Sequence, residues 1–166
     1  MTTAHETWPG HHLLDISRWS LDRALRRSLE HPLFYEGWAC FAEEMTARTG
    51  YFTDPWDRFI LARRRLRRAV RGVVDLGLQS GSLTFDAAAD KLERAGFQRG
   101  EARSALPKYA LRPGYQVCYT LGLVRFLDLW SRFGGEDFPS FALTVLEEGE
   151  VGFGNLERLF EKRRDR

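Results

Sequence analysis

The sequence predicts an all-α fold, and three observations carry that expectation. Apolar residues recur at spacings of three and four rather than two. Prolines and glycines fall at intervals that suit helix joints. No alternating strand of any length and no hairpin signal occurs. The chain has 166 residues, enough for one domain around one core. Its composition, 43% hydrophobic and 29% charged, is that of a folded globular chain rather than a disordered one. A single multi-helix domain over residues 1–166 is therefore expected.

The joints place the elements in order. A first helix begins before His5 and is disturbed at Pro9-Gly10. His12 to Leu29 continues it or forms a second piece. Phe34 to Thr49 follows, stopped by Gly50. Asp54 caps, and Pro55 opens, the longest helix, which runs to about Gln79. Its expected apolar stripe is Phe59, Leu66, Val70, Val73, Val74 and Leu78. Thr84 caps a helix from Phe85 to about Ala95. A short helix starts near Arg99, and Gly114 opens a long one from Tyr115 to Phe133. Two shorter helices, near Phe138–Glu147 and Asn155–Arg163, end the chain.

Composition narrows the function classes. No apolar run approaches the roughly 20 residues of a membrane span, and the opening MTTAHETWPGHH lacks the features of a signal peptide. Cys40 and Cys118 are too few for a disulfide framework, so a reducing, cytoplasmic setting is expected, with no membrane partner. The net charge of +2 gives no bulk electrostatic argument for nucleic acid. The run Arg63-Arg64-Arg65-Leu66-Arg67-Arg68-Ala69-Val70-Arg71 reads as a solvated face paired with neighbouring carboxylates, with Leu66 and Val70 on the buried side. No nucleic-acid partner is expected from it.

Histidine placement is the strongest local signal. His5, His11, His12 and His31 are the only histidines, and all lie in the first fifth of the chain. The segment His5-Glu6-Thr7-Trp8-Pro9-Gly10-His11-His12 has the start of an HExxH metal motif. In that motif two histidines share a helix face and the Glu is general base to a zinc-bound water. Here the second histidine comes late. On a straight helix His11 would lie about 240° around and roughly 9 Å along from His5, and His12 about two turns away. A shared metal therefore requires a deformed helix, which Pro9 and Gly10 could supply. The alternative is a helix broken at Pro-Gly that carries surface histidines.

Two further segments could add chemistry. In Phe34-Tyr35-Glu36-Gly37-Trp38-Ala39, Glu36 could be a third metal ligand, with Gly37 permitting close backbone approach. Glu43, seven residues on, could orient a ligating histidine. Otherwise Glu36 is a solvated carboxylate beside a core tryptophan. In Arg112-Pro113-Gly114-Tyr115 to Gly122, Tyr115 and Tyr119 share one helix face. A phenol there could donate to a developing oxyanion, and Arg112 could pair a substrate carboxylate. Two tyrosines lining the core edge is the other reading.

Together these segments resemble the domain of unknown function 885 family, bacterial proteins placed among the gluzincin metallopeptidases. The matching stretches are His5 to His12, Phe34 to Ala39, Val73-Val74-Asp75-Leu76-Gly77 and Pro113 to Gly122. They occur in family order and cover the chain from residue 3 to about 160. The last stretch is also similar to a helix of thermostable bacterial metallocarboxypeptidases, and the dipeptidyl peptidase III family shows that gluzincins accept an expanded HExxxH. The resemblance implies an all-α catalytic part with zinc bound by His5, His11 and Glu36. Glu6 would activate the water, and Tyr115 or Tyr119 would stabilise the intermediate. His12 and Glu43 would sit behind the ligands, with Arg112 toward substrate. The Gly10-His11 pair favours His11 over His12 as second ligand.

The implied activity is hydrolysis of peptide or related amide bonds, with a small peptide-like substrate. The sequence corresponds to the C-terminal third of the family's length, and Gln79 stands where the family commonly carries a histidine. The competing expectation is a non-catalytic truncated helical domain, or one subunit of a split enzyme. It would associate with itself or with a partner chain, and Trp8, Trp19 and Trp38 are candidate contacts.

Overall fold

The computed structural model describes residues 1–164, and among these there is no strand. Ten α-helices follow in order: α1 (Thr2–Glu6), α2 (His11–Trp19), α3 (Ala24–Ser28), α4 (Pro32–Arg48), α5 (Pro55–Gln79), α6 (Phe85–Arg94), α7 (Arg99–Ala110), α8 (Tyr115–Leu129), α9 (Phe138–Glu148) and α10 (Phe153–Arg164). A π-helical turn, Trp130–Gly134, continues α8. The expected helices are present within a few residues at each end, with three differences. The stretch expected as His12 to Leu29 is two helices, α2 and α3. The helix expected to reach Phe133 is α-helical only to Leu129. The disturbance at Pro9-Gly10 is a full break between α1 and α2.

Local chemistry explains the starts. His31 Nδ1 accepts from the Leu33 N–H at 3.3 Å, and Pro32 fits the first turn of α4. Asp54 accepts from Trp56 N–H at 2.8 Å ahead of Pro55, and Thr84 accepts from Ala87 N–H at 3.2 Å. At α8 the cap is remote in sequence. The fully buried Asp75 accepts from the N–H groups of Gly114 (3.1 Å) and Gln116 (2.8 Å). This gives the Val-Val-Asp stretch a physical role, since a buried carboxylate at a helix N-terminus satisfies donors that have no partner within the helix.

The chain gathers into two compact units: Met1–Phe52 with Gly122–Arg166, and Thr53–Leu121. The first has an aromatic core. Trp38, Phe34 and Phe41 of α4 pack with Phe126 of α8, Phe141 and Val145 of α9, and Leu156 and Phe160 of α10. Trp38 is fully buried in this core, which corrects its expected role as an exposed contact; Trp8 and Trp19 are exposed. The second unit packs Val74 against Ala88, Ala89 and Leu92 of α6, and Ala102, Leu106 and Tyr109 of α7.

α5 follows the expected stripe in part: Val70, Val74 and Leu78 pack in the second unit's core, whereas the other three residues do not. Phe59, Leu66 and Val73 are more than half exposed, while Leu61, Arg68, Gly72, Val74, Asp75 and Gly77 are buried. Arg68 is only 8% exposed, so the arginine run is not simply a solvated face, and Leu66 does not mark its buried side. The reason is close backbone approach and buried polar chemistry. A Cβ on Gly72 would stand 3.1 Å from Val117 Cα, and Asp75 caps α8. The inward face is helical in period, but Gly72, Asp75 and Gly77 are interleaved there with the apolar Val70, Val74 and Leu78. No helix among the described residues is long and apolar enough to cross a membrane.

Candidate functional site

The site grows out of the broken helix. α1 ends at Glu6, α2 starts at His11, and residues 7–10 fold the chain back. Gly10 permits this: a Cβ there would fall 1.9 Å from the His5 carbonyl oxygen and 2.4 Å from that of Ala4. The Trp38 indole N–H donates to the Pro9 carbonyl at 3.0 Å and ties the turn to α4. The His5 and His11 rings, far apart on a straight helix, come within 4.8 Å, edge to face.

α4 brings the carboxylate. Glu36 Oε2 lies 3.6 Å from His5 Nε2 and 3.5 Å from His11 Nε2. All three residues are buried, and one ligand atom from each lies within 4.8 Å of the others. Glu36 is presented by a helix whose backbone touches another. A Cβ on Gly37 would stand 2.6 Å from Gly122 Cα, and one on Gly122 would stand 2.2 Å from the Leu33 carbonyl oxygen. Only glycine at both positions lets α4 and α8 cross there.

This arrangement fits a metal ion. Separations of 3.5 and 3.6 Å exceed a direct N–H···O bond. They approach the edge of a tetrahedron, where atoms about 2.0–2.1 Å from a zinc centre stand about 3.3–3.4 Å apart. Two imidazoles and one carboxylate form a donor set that suits zinc and leaves a position open. His11 Nδ1 is buried and has no hydrogen-bond partner among the described residues.

Supporting groups surround the three. Glu43, fully buried, places Oε1 3.1 Å from His5 Nδ1, the contact by which a carboxylate fixes an imidazole's tautomer and orientation. The Tyr35 ring stacks on His11 at 4.0 Å and 16°, and its hydroxyl donates to Asp15 Oδ2 at 3.1 Å. Burial, then the Asp15 charge, hold the Tyr35 phenol above its usual range, so it stays protonated. Asp15 is gripped by Arg18 at 2.7 Å. Arg18 also donates to Glu150 Oε1 at 3.1 Å, and Glu150 Oε2 accepts from the His31 N–H at 2.8 Å. Burial pushes the Glu150 carboxyl up to about 7, against the His31 N–H and the Arg18 charge, which pull it down.

The remaining candidates are placed as follows. Glu6 is exposed at the end of α1, directly after His5, and His12 is exposed on α2. In the second unit, Tyr115 and Tyr119 meet edge to face at 5.9 Å on the opening turns of α8. The exposed Arg112 guanidinium lies 5.6 Å from the Tyr115 ring. Gln79 donates to the carbonyls of Tyr109 and Ala110 at 3.4 Å each, so it closes the end of α7. Sequence reasoning assigned no role to Tyr35, Asp15 or Asp75. Tyr35 is the sequence neighbour of Glu36, but its stacking on His11 depends on two separate helices.

The family described as bacterial protein of unknown function (DUF885) matches residues 1–159. Among solved structures, the chain is similar to one described as "the putative lipoprotein from Colwellia psychrerythraea". That similarity has 31% identity and a TM-score of 0.87, over 98% of this chain and 29% of that one. The chain thus spans less than a third of that relative's length. A comparison with curated proteins finds no match.

Proposed function

We propose, on the premise that this chain belongs to the DUF885 family, that it carries a gluzincin-type zinc site and hydrolyses peptide or related amide bonds. The observation that carries this reading is the convergence of His5 Nε2 and His11 Nε2 on one Glu36 oxygen, with Glu43 behind His5. Buried titratable groups grouped this way are characteristic of functional sites. Zinc held there would supply Lewis acidity and make water a nucleophile near neutral pH.

The chain's own residues have separable tasks in this reading. His5, His11 and Glu36 hold the metal. Glu43 accepts from His5 Nδ1–H and keeps Nε2 free to ligate. Tyr35 fixes the plane of His11, and Asp15 fixes Tyr35. Glu6, exposed beside His5, takes the proton from water as general base. A hydroxyl of Tyr115 or Tyr119 donates to the developing oxyanion, a role that rests on the resemblance alone, as does pairing of Arg112 with a substrate carboxylate.

Elemental analysis of tag-free protein tests the reading. About one zinc per chain is expected, lost in Glu36→Ala and His11→Ala. Glu6→Gln should keep the metal and lose hydrolysis. Unchanged zinc affinity in Glu36→Ala would overturn the ligand assignment. A second reading, a helical domain that acts only in association, is supported by exposed apolar residues: Trp8 and Trp19 in the first unit, and Trp56, Phe59 and Leu66 in the second. A strict monomer by light scattering, with no binding of hydrophobic dye, would count against it.

A further inference from the structure

The arginine run lines a cleft within the second unit that the proposed hydrolysis does not use. Arg64, Arg67, Arg68 and Arg71 share one face of α5 at spacings of three and four. Phe97, Glu101, Ala105 and Tyr109 form the opposite wall, and the cleft has a volume of about 290 Å³. Its lining residues carry four guanidiniums against one carboxylate.

Two side chains in the cleft point to a ligand. Arg71 is half-buried, and its Nε donates to Gln116 Oε1 at 2.8 Å, with one Nη2 hydrogen directed at the same oxygen. Its other neighbours are the rings of Tyr119 at 4.7 Å and Tyr109 at 5.9 Å. Among the described residues it has no carboxylate partner. An arginine cannot escape burial by deprotonating. Gln116 therefore aims the charge without neutralising it. Two of the five N–H donors face Gln116, and the Nη1–Nη2 edge remains, the edge that receives an oxyanion two-pronged.

Tyr109 is the second. It is 7% exposed and lines the cleft, and its hydroxyl makes no hydrogen bond among the described residues. Burial holds its phenol above the usual range, so it remains a donor at neutral pH. Arg67 completes the wall, lying 3.7 Å from the Phe97 ring centroid and paired with Glu101.

We propose that the cleft between α5 and α7 binds the carboxylate or phosphate group of a small molecule, held by the free edge of Arg71 and the Tyr109 hydroxyl. Calorimetric titration of the full chain with inorganic phosphate and with succinate, at matched ionic strength, tests this. Saturable binding of at least one probe is expected. Arg71→Gln should weaken it by at least about tenfold, the scale of a lost charge-assisted hydrogen bond pair. Tyr109→Phe should weaken it a few-fold. Preference for phosphate or for succinate identifies the ligand's source, and either supports the proposal. The titration repeated in Glu36→Ala should give unchanged affinity, which separates this site from the candidate metal centre. No saturable binding, or Arg71→Gln and Tyr109→Phe proteins that bind as wild type does, would overturn it. Should Arg71→Gln fail to fold, Tyr109→Phe alone decides.

Discussion

α4 and α5 are the long helices of their respective units, and both bury charge, but in opposite ways. α4 is buried nearly all round and carries Glu36 and Glu43 inward, each facing an imidazole. α5 exposes Phe59, Leu66 and Val73 while drawing Arg68 and half of Arg71 inward. The carboxylates of α4 meet groups whose charge depends on a proton or a metal. The guanidinium of Arg71 meets an amide oxygen and two aromatic rings, which leave its charge intact. A buried charge must be met somehow. In α4 the answering groups are themselves chemically adjustable, whereas those around Arg71 are fixed.

Breaking the backbone contact of each helix should give the largest effect. Gly122→Val would force a side chain to within 2.2 Å of the Leu33 carbonyl. A loss of more than about 4 kcal/mol is expected, read by urea denaturation or by failure to accumulate. Gly72→Ala meets Val117 at 3.1 Å and should cost only about 1 kcal/mol. If the two losses are equal, the two crossings are not as different as the distances make them.

Glu43→Gln sharpens the comparison at the adjustable side. Zinc affinity should fall by about 10- to 100-fold with the fold retained, the cost of removing the carboxylate that orients a ligating histidine. Competition with a chromophoric chelator reads this directly.

The first unit should also respond to pH through Glu150. Its carboxyl, ordinarily near 4.5, is raised to about 7 by burial. The folded chain therefore holds this proton where the unfolded chain has released it. Stability from this group is complete below about pH 4.5 and is lost as pH rises through 7. Denaturation midpoints should decline across that window, and Glu150→Gln should flatten the decline. Equal slopes in both proteins would remove Glu150 as the cause.

The smallest effect belongs to the exposed edge of α5. Leu66→Ser should change stability by no more than about 0.5 kcal/mol. The fully buried Val74→Ser should cost several times that, by thermal denaturation of the same preparations.

Helix limits were legible in the sequence because their causes are local: Pro32, Pro55, Thr84 and Asp54 act within one turn. The orientation of α5 was legible only in part: Val70, Val74 and Leu78 face the core as expected, whereas Phe59, Leu66 and Val73 do not. Apolar pattern identifies a buried face only when burial is driven by oil, and here Gly72 and Asp75 face inward for other reasons. At the candidate site, the proximity of His5 and His11 could be reasoned from Pro9-Gly10, since only a break could bring them together. The placement of Glu36 depended on the family resemblance. Tyr35, Asp15, Arg18 and Glu150 form a chain of partners across distant sequence, with Arg18 and Glu150 joined at 3.1 Å. No periodicity marks such a chain.

The route of the chain through the two units bears on how the molecule assembles in time. Thr53–Leu121 is one uninterrupted stretch, and α5, α6 and α7 pack on near neighbours. The first unit is split, so its core waits for Gly122 and Phe126 to return across the intervening stretch. Contacts between distant residues form late because the loop entropy must be met first. Amides around Leu92 and Leu106 should therefore gain hydrogen-exchange protection before those around Trp38 and Phe126 during refolding. The histidines and Glu36 lie before the interruption, yet the glycine against which α4 rests lies after it. The candidate metal ligands would therefore be among the last residues to be held in place.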